Sequence, residues 1–584
     1  MPSFILRLDR ILKTLRPYQT RVAAHLHHQP RSSDLSDPGL GKTLTTTERL
    51  REFRADGFLR YLLVVAPDPV VPGWAAELAE QWGDGVVWHD CRTGRKDVKL
   101  LESWAAGSAR PPATGPGEPM HVYGVTADRL RTMLTVPAPK KGSSPRVAWE
   151  RLDRLKKSGL GVVLDEAHLY TVPDSSRARV ARALAWNADV VTACTGTLMG
   201  RDTHGRLWGH TAIVAPWILA QLQLPTFRDF KIRYCVCTDP AGKVVSGGPM
   251  IREIDHDRVA RDLLEPQRAF TARVTEAEAL PDLPPLTILR RTGGMGAEAG
   301  RMLRQMRKER RVTSGAAGSV ELVTEAQNGG VAAMRCLEMS SGWLEGKPIH
   351  ADKLELLRGV LDELGDDAAC SLWAVRSRTL LSAALVAAGV TPDDAMRMVA
   401  AIPPSETPEE EFEEEELDTH ASSVKVSSPE YRAVIARARS GGVGVLHGGT
   451  PSRARDTVIA DWRSGRLSRC ALHPGVGGAG LNLQHVSKSV YVEPCGSSIQ
   501  WAQSLKRHHR SGQGEACFAF LLGMEDGPEW GCYQAHLEQR EAEDDLMSWM
   551  GGAKAERKPA ARSKQKVRAQ ASNADLPEDL LAFL

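Results

Sequence analysis

The chain has 584 residues, 75 Lys+Arg against 72 Asp+Glu for a formal net charge of +3, and 42% hydrophobic residues. That length exceeds what a single core organises, so more than one lobe is expected. The balanced charge excludes a globally basic field and leaves a nucleic-acid partner only a local basic groove.

Met1–Thr14 has charges breaking its apolar stretch, so it reads as an amphipathic helix or strand and not as a signal peptide. LRPYQ (Leu15–Gln19) begins a helix that carries His25, His27 and His28; no carboxylate or cysteine accompanies them, so they do not read as a metal site. DPGLGKT (Asp37–Thr43) is a phosphate-loop pattern. Gly39 and Gly41 flank Leu40 and allow a tight turn that aims successive N–H groups at phosphate oxygens. Lys42 is a point charge for the β- and γ-phosphates, and Thr43 offers a hydroxyl to Mg²⁺. Ser36 stands where the strict pattern has its first glycine. The plain alternative is a turn before a helix that happens to contain Gly-Lys-Thr.

Further along, Tyr61–Pro67 reads as a buried strand, and Gly107–Met120 and Pro137–Pro145 read as loops, the second with Lys140 and Lys141 either near phosphate or simply solvated. GVVLDEAH (Gly161–His168) is an apolar run that ends in two carboxylates. It reads as a parallel strand reaching the edge where ligands collect in open α/β sheets. There Asp165 would hold Mg²⁺ through water and Glu166 would orient and deprotonate an attacking water. The alternative is a strand-to-loop junction capped by acids. Asp189–Thr197 is a further strand ending in Thr-Gly-Thr. Residues 206–350 read as mostly helical, with Arg304, Arg307, Lys308, Arg310 and Arg311 either gripping a duplex or lining a solvated helix face. Cys235 and Cys237 form a lone C-x-C.

In the second half, strands are expected from Val443, Ser468 and Ser489. The glutamate-rich run Pro408–His420 cannot enter a core and reads as a disordered surface loop, with an electrostatic decoy for a DNA groove as the sharper alternative. QSLKRHHRSGQ (Gln503–Gln513) holds Arg507 and Arg510. From Gly551 the chain carries a basic strip, Lys554 to Arg568, suited to non-specific phosphate contact. The acidic-apolar peptide Ala574–Leu584 follows, which either packs back or docks on a protein partner. Alternating strand-like and helix-like stretches favour parallel sheets. Ten cysteines without a C-x-x-C pair argue against zinc and disulfides and for a reducing compartment. No apolar run nears the ~18 residues of a membrane span, so no membrane partner is expected.

Taken in order, these segments resemble the motifs of superfamily-two helicase-like ATPases, and more narrowly the switch/sucrose-non-fermenting branch of double-stranded DNA translocases. LRPYQ is similar to the adenine-reading segment, with Gln19 as the base contact. Val64–Glu77, with Pro67, Trp74 and Glu77, and Val125–Leu130 are similar to DNA-facing segments. Thr195–Thr197 resembles the element that couples the ATP and nucleic-acid sites. His447–Trp462, with Arg455, and GGAGLNL (Gly477–Leu483), which includes Gly480 as a nucleotide-side residue, resemble second-lobe motifs. QSLKRHHRSGQ resembles the final motif and implies Arg507 and Arg510 as arginine fingers; Lys506 and His508 depart from its usual small residues.

The resemblance implies an α/β protein of two tandem recombinase-core-type lobes, parallel sheets flanked by helices, with a helical insertion between them. The expected division is 1–205 first lobe, 206–350 insertion, 351–545 second lobe with an acidic insertion about 400–428, and 546–584 tail. It implies a DNA-dependent ATPase with ATP and Mg²⁺ as cofactors. Thr43 and Asp165 would serve the metal, and Lys42, Asp165, Glu166, Arg507 and Arg510 catalysis. Gln19, Gly39, Leu40, Gly41, Lys42, Thr43 and Gly480 would serve the nucleotide. Double-stranded DNA is the expected partner, single-stranded DNA the lesser one, and the cytoplasm of a bacterium or phage-infected cell the expected location. A strand-separating helicase and a non-catalytic nucleotide-gated clamp stay open as alternatives. Intact Lys42, Glu166 and Arg510 argue against the clamp.

Overall fold

The structure, a computed structural model, describes residues 15–92, 96–106, 118–136, 146–156, 159–198, 203–239, 241–314, 321–327, 329–365, 368–405, 424–477 and 481–548. Met1–Thr14, Lys140, Lys141, Gly480, the acidic run and the basic tail with its terminal peptide lie outside these residues. Contacts divide the chain into two compact units that meet in sequence between Pro281 and Asp282, inside the segment 206–350.

The first unit is built on a seven-stranded sheet. Its strands are β1 (Arg31–Asp34), β2 (Tyr61–Val65), β3 (Val86–Asp90), β4 (Met120–Val125), β5 (Leu160–Asp165), β6 (Val190–Cys194) and β7 (Thr271–Ala272). Their order is β7-β1-β6-β5-β2-β4-β3, every neighbouring pair parallel. The central strands are apolar on both faces because both faces are covered. Tyr61, Leu63 and Val65 of β2 face a core with Val180, Ala181 and Leu184 of the helix Ser176–Asn187. Leu62 and Val64 face the opposite core with Leu50 and Phe53 of α2 (Lys42–Ala55) and Trp74 and Leu78 of α3 (Val71–Trp82). β1 is polar yet buried, and Ser33 takes its partners from distant elements: its Oγ lies 3.2 Å from Ala193 O and 2.8 Å from His210 Nε2. Residues 203–281 add helices around Trp208, Phe230 and Tyr234 and the hairpin Cys235–Thr238/Met250–Ile254, then return to the sheet as β7.

The second unit holds a six-stranded sheet of β8 (Leu286–Gly293), β9 (Cys370–Trp373), β10 (Val443–Leu446), β11 (Arg469–Leu472), β12 (Lys488–Tyr491) and β13 (Cys517–Met524). The order is β8-β13-β12-β9-β11-β10, again parallel throughout. Leu372, Val490 and Leu522 pack on one face with Leu380, Leu381 and Ala384. Trp373, Leu472 and Tyr491 pack on the other with Trp501 and Leu505. Pro404 and Val424 pair in an isolated antiparallel bridge, so the chain leaves and rejoins this unit at one place around the acidic run. Two parallel sheets flanked by helices, with helical insertions, are the expected α/β fold class. Among the described residues no helix is long and apolar enough to cross a membrane.

Candidate active site

Strand register brings the first unit's motifs to one edge. Asp34 of β1 pairs with Cys194 of β6, and Cys194 pairs with Asp165 of β5. The phosphate loop, the Thr195–Thr197 segment and the acidic pair therefore leave three adjacent parallel strands at the same level, at their C-terminal ends.

The loop between β1 and α2 turns on two glycines in the left-handed region, Gly39 at φ +88° and Gly41 at φ +76°. Gly41 is the N-cap of α2, so Lys42 and Thr43 open the helix, where free N–H groups and the helix dipole favour an anion. Lys42 Nζ donates to the carbonyls of Ser36 at 2.8 Å and Asp37 at 3.1 Å. An ammonium has three protons, so the loop's own carbonyls engage two of them. Asp34 accepts from Ser36 N at 3.0 Å; burial raises its pKa, against the lowering charge of Lys42. Asp37 anchors the loop from outside, its carboxylate accepting from Glu276 N at 2.9 Å and its N–H donating to Val274 O at 3.0 Å.

Gln19 lies on α1 (Pro17–Leu26) and is buried against the loop. Its Nε2 and the Tyr18 hydroxyl both donate to Leu40 O, at 3.0 and 2.9 Å, and its Oε1 accepts from Arg16 N at 2.9 Å. A Cβ on Gly41 would stand 2.5 Å from Gln19 Nε2. Gln19 thus fastens the loop through one amide hydrogen and caps its own helix through Oε1.

At the end of β5, Asp165 is 9% exposed. Its Oδ1 accepts from Glu166 N at 2.9 Å, and its Oδ2 accepts from Trp74 Nε1 at 2.7 Å. Glu166 sits at φ +50°, ψ +55°, a conformation that costs a non-glycine residue about 1–2 kcal/mol and clusters at functional sites. His168 Nδ1 stands 3.4 Å from Glu166 Oε2 and 3.0 Å from Thr195 Oγ1. Thr195 gives its own proton to Thr197 O at 3.0 Å, so the shared hydrogen belongs to His168 Nδ1. Burial, with the charges of Arg206 and Lys42, lowers the His168 pKa to about 3 and keeps the ring neutral. The acidic pair and the Thr-Gly-Thr segment are joined by this histidine.

In the second unit, Arg507 is in α4 (Ser498–His508), a helix buried along its length, and its backbone carbonyl accepts from Leu483 N at 3.2 Å. His508 Nε2 lies 2.8 Å from Ser371 Oγ, and His509 Nε2 lies 2.7 Å from Pro284 O. Arg510 follows, half-buried, with its pKa lowered by burial and its Nε without a hydrogen-bond partner among the described residues. A desolvated guanidinium stays charged and suits an incoming anion. Of the basic residues expected to grip a duplex, Arg304 pairs with Asp526 at 3.0 Å and Arg311 with Glu309 at 3.7 Å.

Sequence reasoning missed Asp34, Tyr18, His168 and Arg206. Tyr18 and His168 sit within the quoted motifs; Asp34 depends on strand register, and Arg206 reaches His168 O from the helix Thr203–Val214, so neither carries a local signal.

The residues fit a Mg²⁺-bound phosphate. Thr43 and Asp165 supply hard oxygens of the kind Mg²⁺ prefers. Among the described residues no group of three or more His, Cys, Asp or Glu side chains could hold a metal.

The fold defines two parallel α/β lobes, the first with a glycine-turned anion cradle beside paired carboxylates. No protein-family model matches the chain, and no curated protein matches it. Among solved structures it is distantly similar to the SWI2/SNF2 ATPase core of Sulfolobus solfataricus in complex with double-stranded DNA, at 16% identity and TM-score 0.34, over 92% of this chain and 94% of that one.

Proposed function

We propose that this chain is a DNA-dependent ATPase of the switch/sucrose-non-fermenting type, a motor that translocates on double-stranded DNA. The observation that carries the ATPase reading is the shared row of Asp34, Cys194 and Asp165, which sets the cradle and the carboxylates on one sheet edge. Backbone N–H groups from Gly39 to Thr43 and the Lys42 ammonium bind the β- and γ-phosphates. Thr43 and Asp165 would hold Mg²⁺, which when bound would supply positive charge to the phosphate oxygens.

Glu166 accepts a proton from the attacking water as its oxygen bonds to the γ-phosphorus and the bond to the ADP oxygen breaks. By their likeness to arginine fingers, Arg507 and Arg510 of the second unit would stabilise charge on the transferring group. The duplex reading rests on the likeness of Val64–Glu77 and Gly477–Leu483 to segments of duplex translocases. Contacts of that kind fall on phosphates and carry little sequence preference.

The test is ATP turnover measured in parallel without nucleic acid and with duplex DNA, single-stranded DNA and duplex RNA. Duplex DNA is expected to stimulate most, with release of a triplex strand and no unwinding of the duplex. Equal stimulation by single strands, with duplex unwinding, would replace this reading with a strand-separating helicase.

A further inference from the structure

We propose that Trp74 is a positioning residue for the Asp165 carboxylate and, through it, for the divalent cation; the inference rests on the reading of this edge as a Mg²⁺-nucleotide site. Trp74 is 1% exposed on α3, with its indole Nε1 2.7 Å from Asp165 Oδ2. The other oxygen accepts from Glu166 N at 2.9 Å. An aspartate's last torsion is broad when unrestrained. Here two donors from different elements grip one oxygen each and fix the carboxylate plane.

The choice of donor matters chemically. Indole N–H is donor-only, so it never competes with the carboxylate for a metal-bound water's proton. It is also neutral, so Asp165 retains a full negative charge for the cation, which a lysine or arginine in its place would cancel. The ring is itself held in a core shared with Leu50 and Phe53 of α2, the helix that the phosphate loop opens. Trp74 thus shares a core with the helix that the phosphate loop opens and hydrogen-bonds to the acidic pair. Partners of this kind, one step out from a metal ligand, typically change metal affinity by 10–100-fold when removed.

The experiment uses the full chain with Trp74→Phe, which deletes the N–H and keeps a buried ring. Binding of a fluorescent ADP analogue is measured at equilibrium, first in EDTA and then in a Mg²⁺ titration. The expected result is Mg²⁺-free affinity within about twofold of wild type and a Mg²⁺ midpoint raised about tenfold or more. In an Asp165→Asn background the same substitution should add little, because the group it acts through has already lost its charge. A wild-type Mg²⁺ midpoint in Trp74→Phe, or an equal loss with and without Mg²⁺, would overturn the proposal, the second outcome leaving Trp74 a packing residue.

Should Trp74→Phe not fold, the indole ¹H–¹⁵N resonances of the wild-type chain serve instead. The one displaced by Asp165→Asn should also move when Mg²⁺ is added to the ADP-bound protein, and indole resonances indifferent to both would overturn the proposal. A wild-type chain that binds no nucleotide would instead remove the ATPase reading beneath it.

Discussion

Lys42, with its ammonium drawn onto the carbonyls of Ser36 and Asp37, is the residue whose loss should act on binding. On the proposed reading Lys42→Ala removes the charge that faces the β- and γ-phosphates, and a hydrogen bond to a charged group is worth about 1.5–3 kcal/mol. ATP affinity by isothermal titration should therefore fall roughly 10- to 150-fold. Glu166→Gln leaves the cradle intact and removes the base, a contribution of about 10²–10⁴ in rate; the variant should bind ATP at wild-type affinity and turn over at least about 100-fold slower. Normal turnover in Glu166→Gln would mean the base lies elsewhere. On the proposed reading Arg510 acts on transition-state charge, so Arg510→Ala should lower kcat by about 10³ or more with KM nearly unchanged. Steady-state kinetics that show the reverse pattern would make Arg510 a ground-state clamp.

At the level of elements, the second unit hides a test of how helices are pinned to its sheet. Lys353, on the helix Asp352–Leu364, forms an ion pair with Glu529, at the start of the helix Glu529–Ser548, and Ser340 donates to the same carboxylate. Both charges are 1% exposed on their side chains. Removing one partner leaves a buried charge, which costs about 3–5 kcal/mol, whereas replacing both by apolar groups is often neutral. Lys353→Met should lower the urea midpoint of this unit sharply, and Lys353→Met/Glu529→Leu should recover most of it.

The same distinction between local and partner-dependent signals explains what was legible beforehand. The strands at Tyr61, Leu160, Val190, Val443, Arg469 and Lys488 were readable because apolar, β-rich runs between turns need no knowledge of neighbours. β1 was not, since Arg-Ser-Ser-Asp becomes buried only because His210 and Ala193 satisfy Ser33. In the site, Gly39–Thr43 and Asp165–Glu166 announce themselves by composition. The bonds from Trp74 to Asp165 and from His509 to Pro284 span 91 and 225 positions, and no local pattern encodes a contact at that separation.

Across the whole molecule, buried neutral histidines should make stability fall with acid. Burial lowers His168 to about 3 and His210 to about 4 in the first unit. In the second it lowers His447 and His473 to about 4 and His508 to about 3. A histidine of ordinary pKa near 6.5 takes a proton in the unfolded chain that its folded counterpart refuses. The stability from each neutral site is therefore complete above pH ~6.5 and is lost as pH falls towards the folded value. Near pH 5 unfolding takes up about three protons from these groups in the second unit and about two in the first, slopes of roughly 4 and 3 kcal/mol per pH unit.

Asp34 widens the gap: its raised pKa means that acidification relieves a buried charge in the first unit. The second unit should accordingly fail first. Calorimetry from pH 7.5 down to 5 should show transitions that separate as the pH falls, and pulse proteolysis with an acid protease near pH 5 should cut first within 282–541. Transitions whose spacing ignores pH, or first cuts within 15–281, would show that other ionisations govern the acid limit.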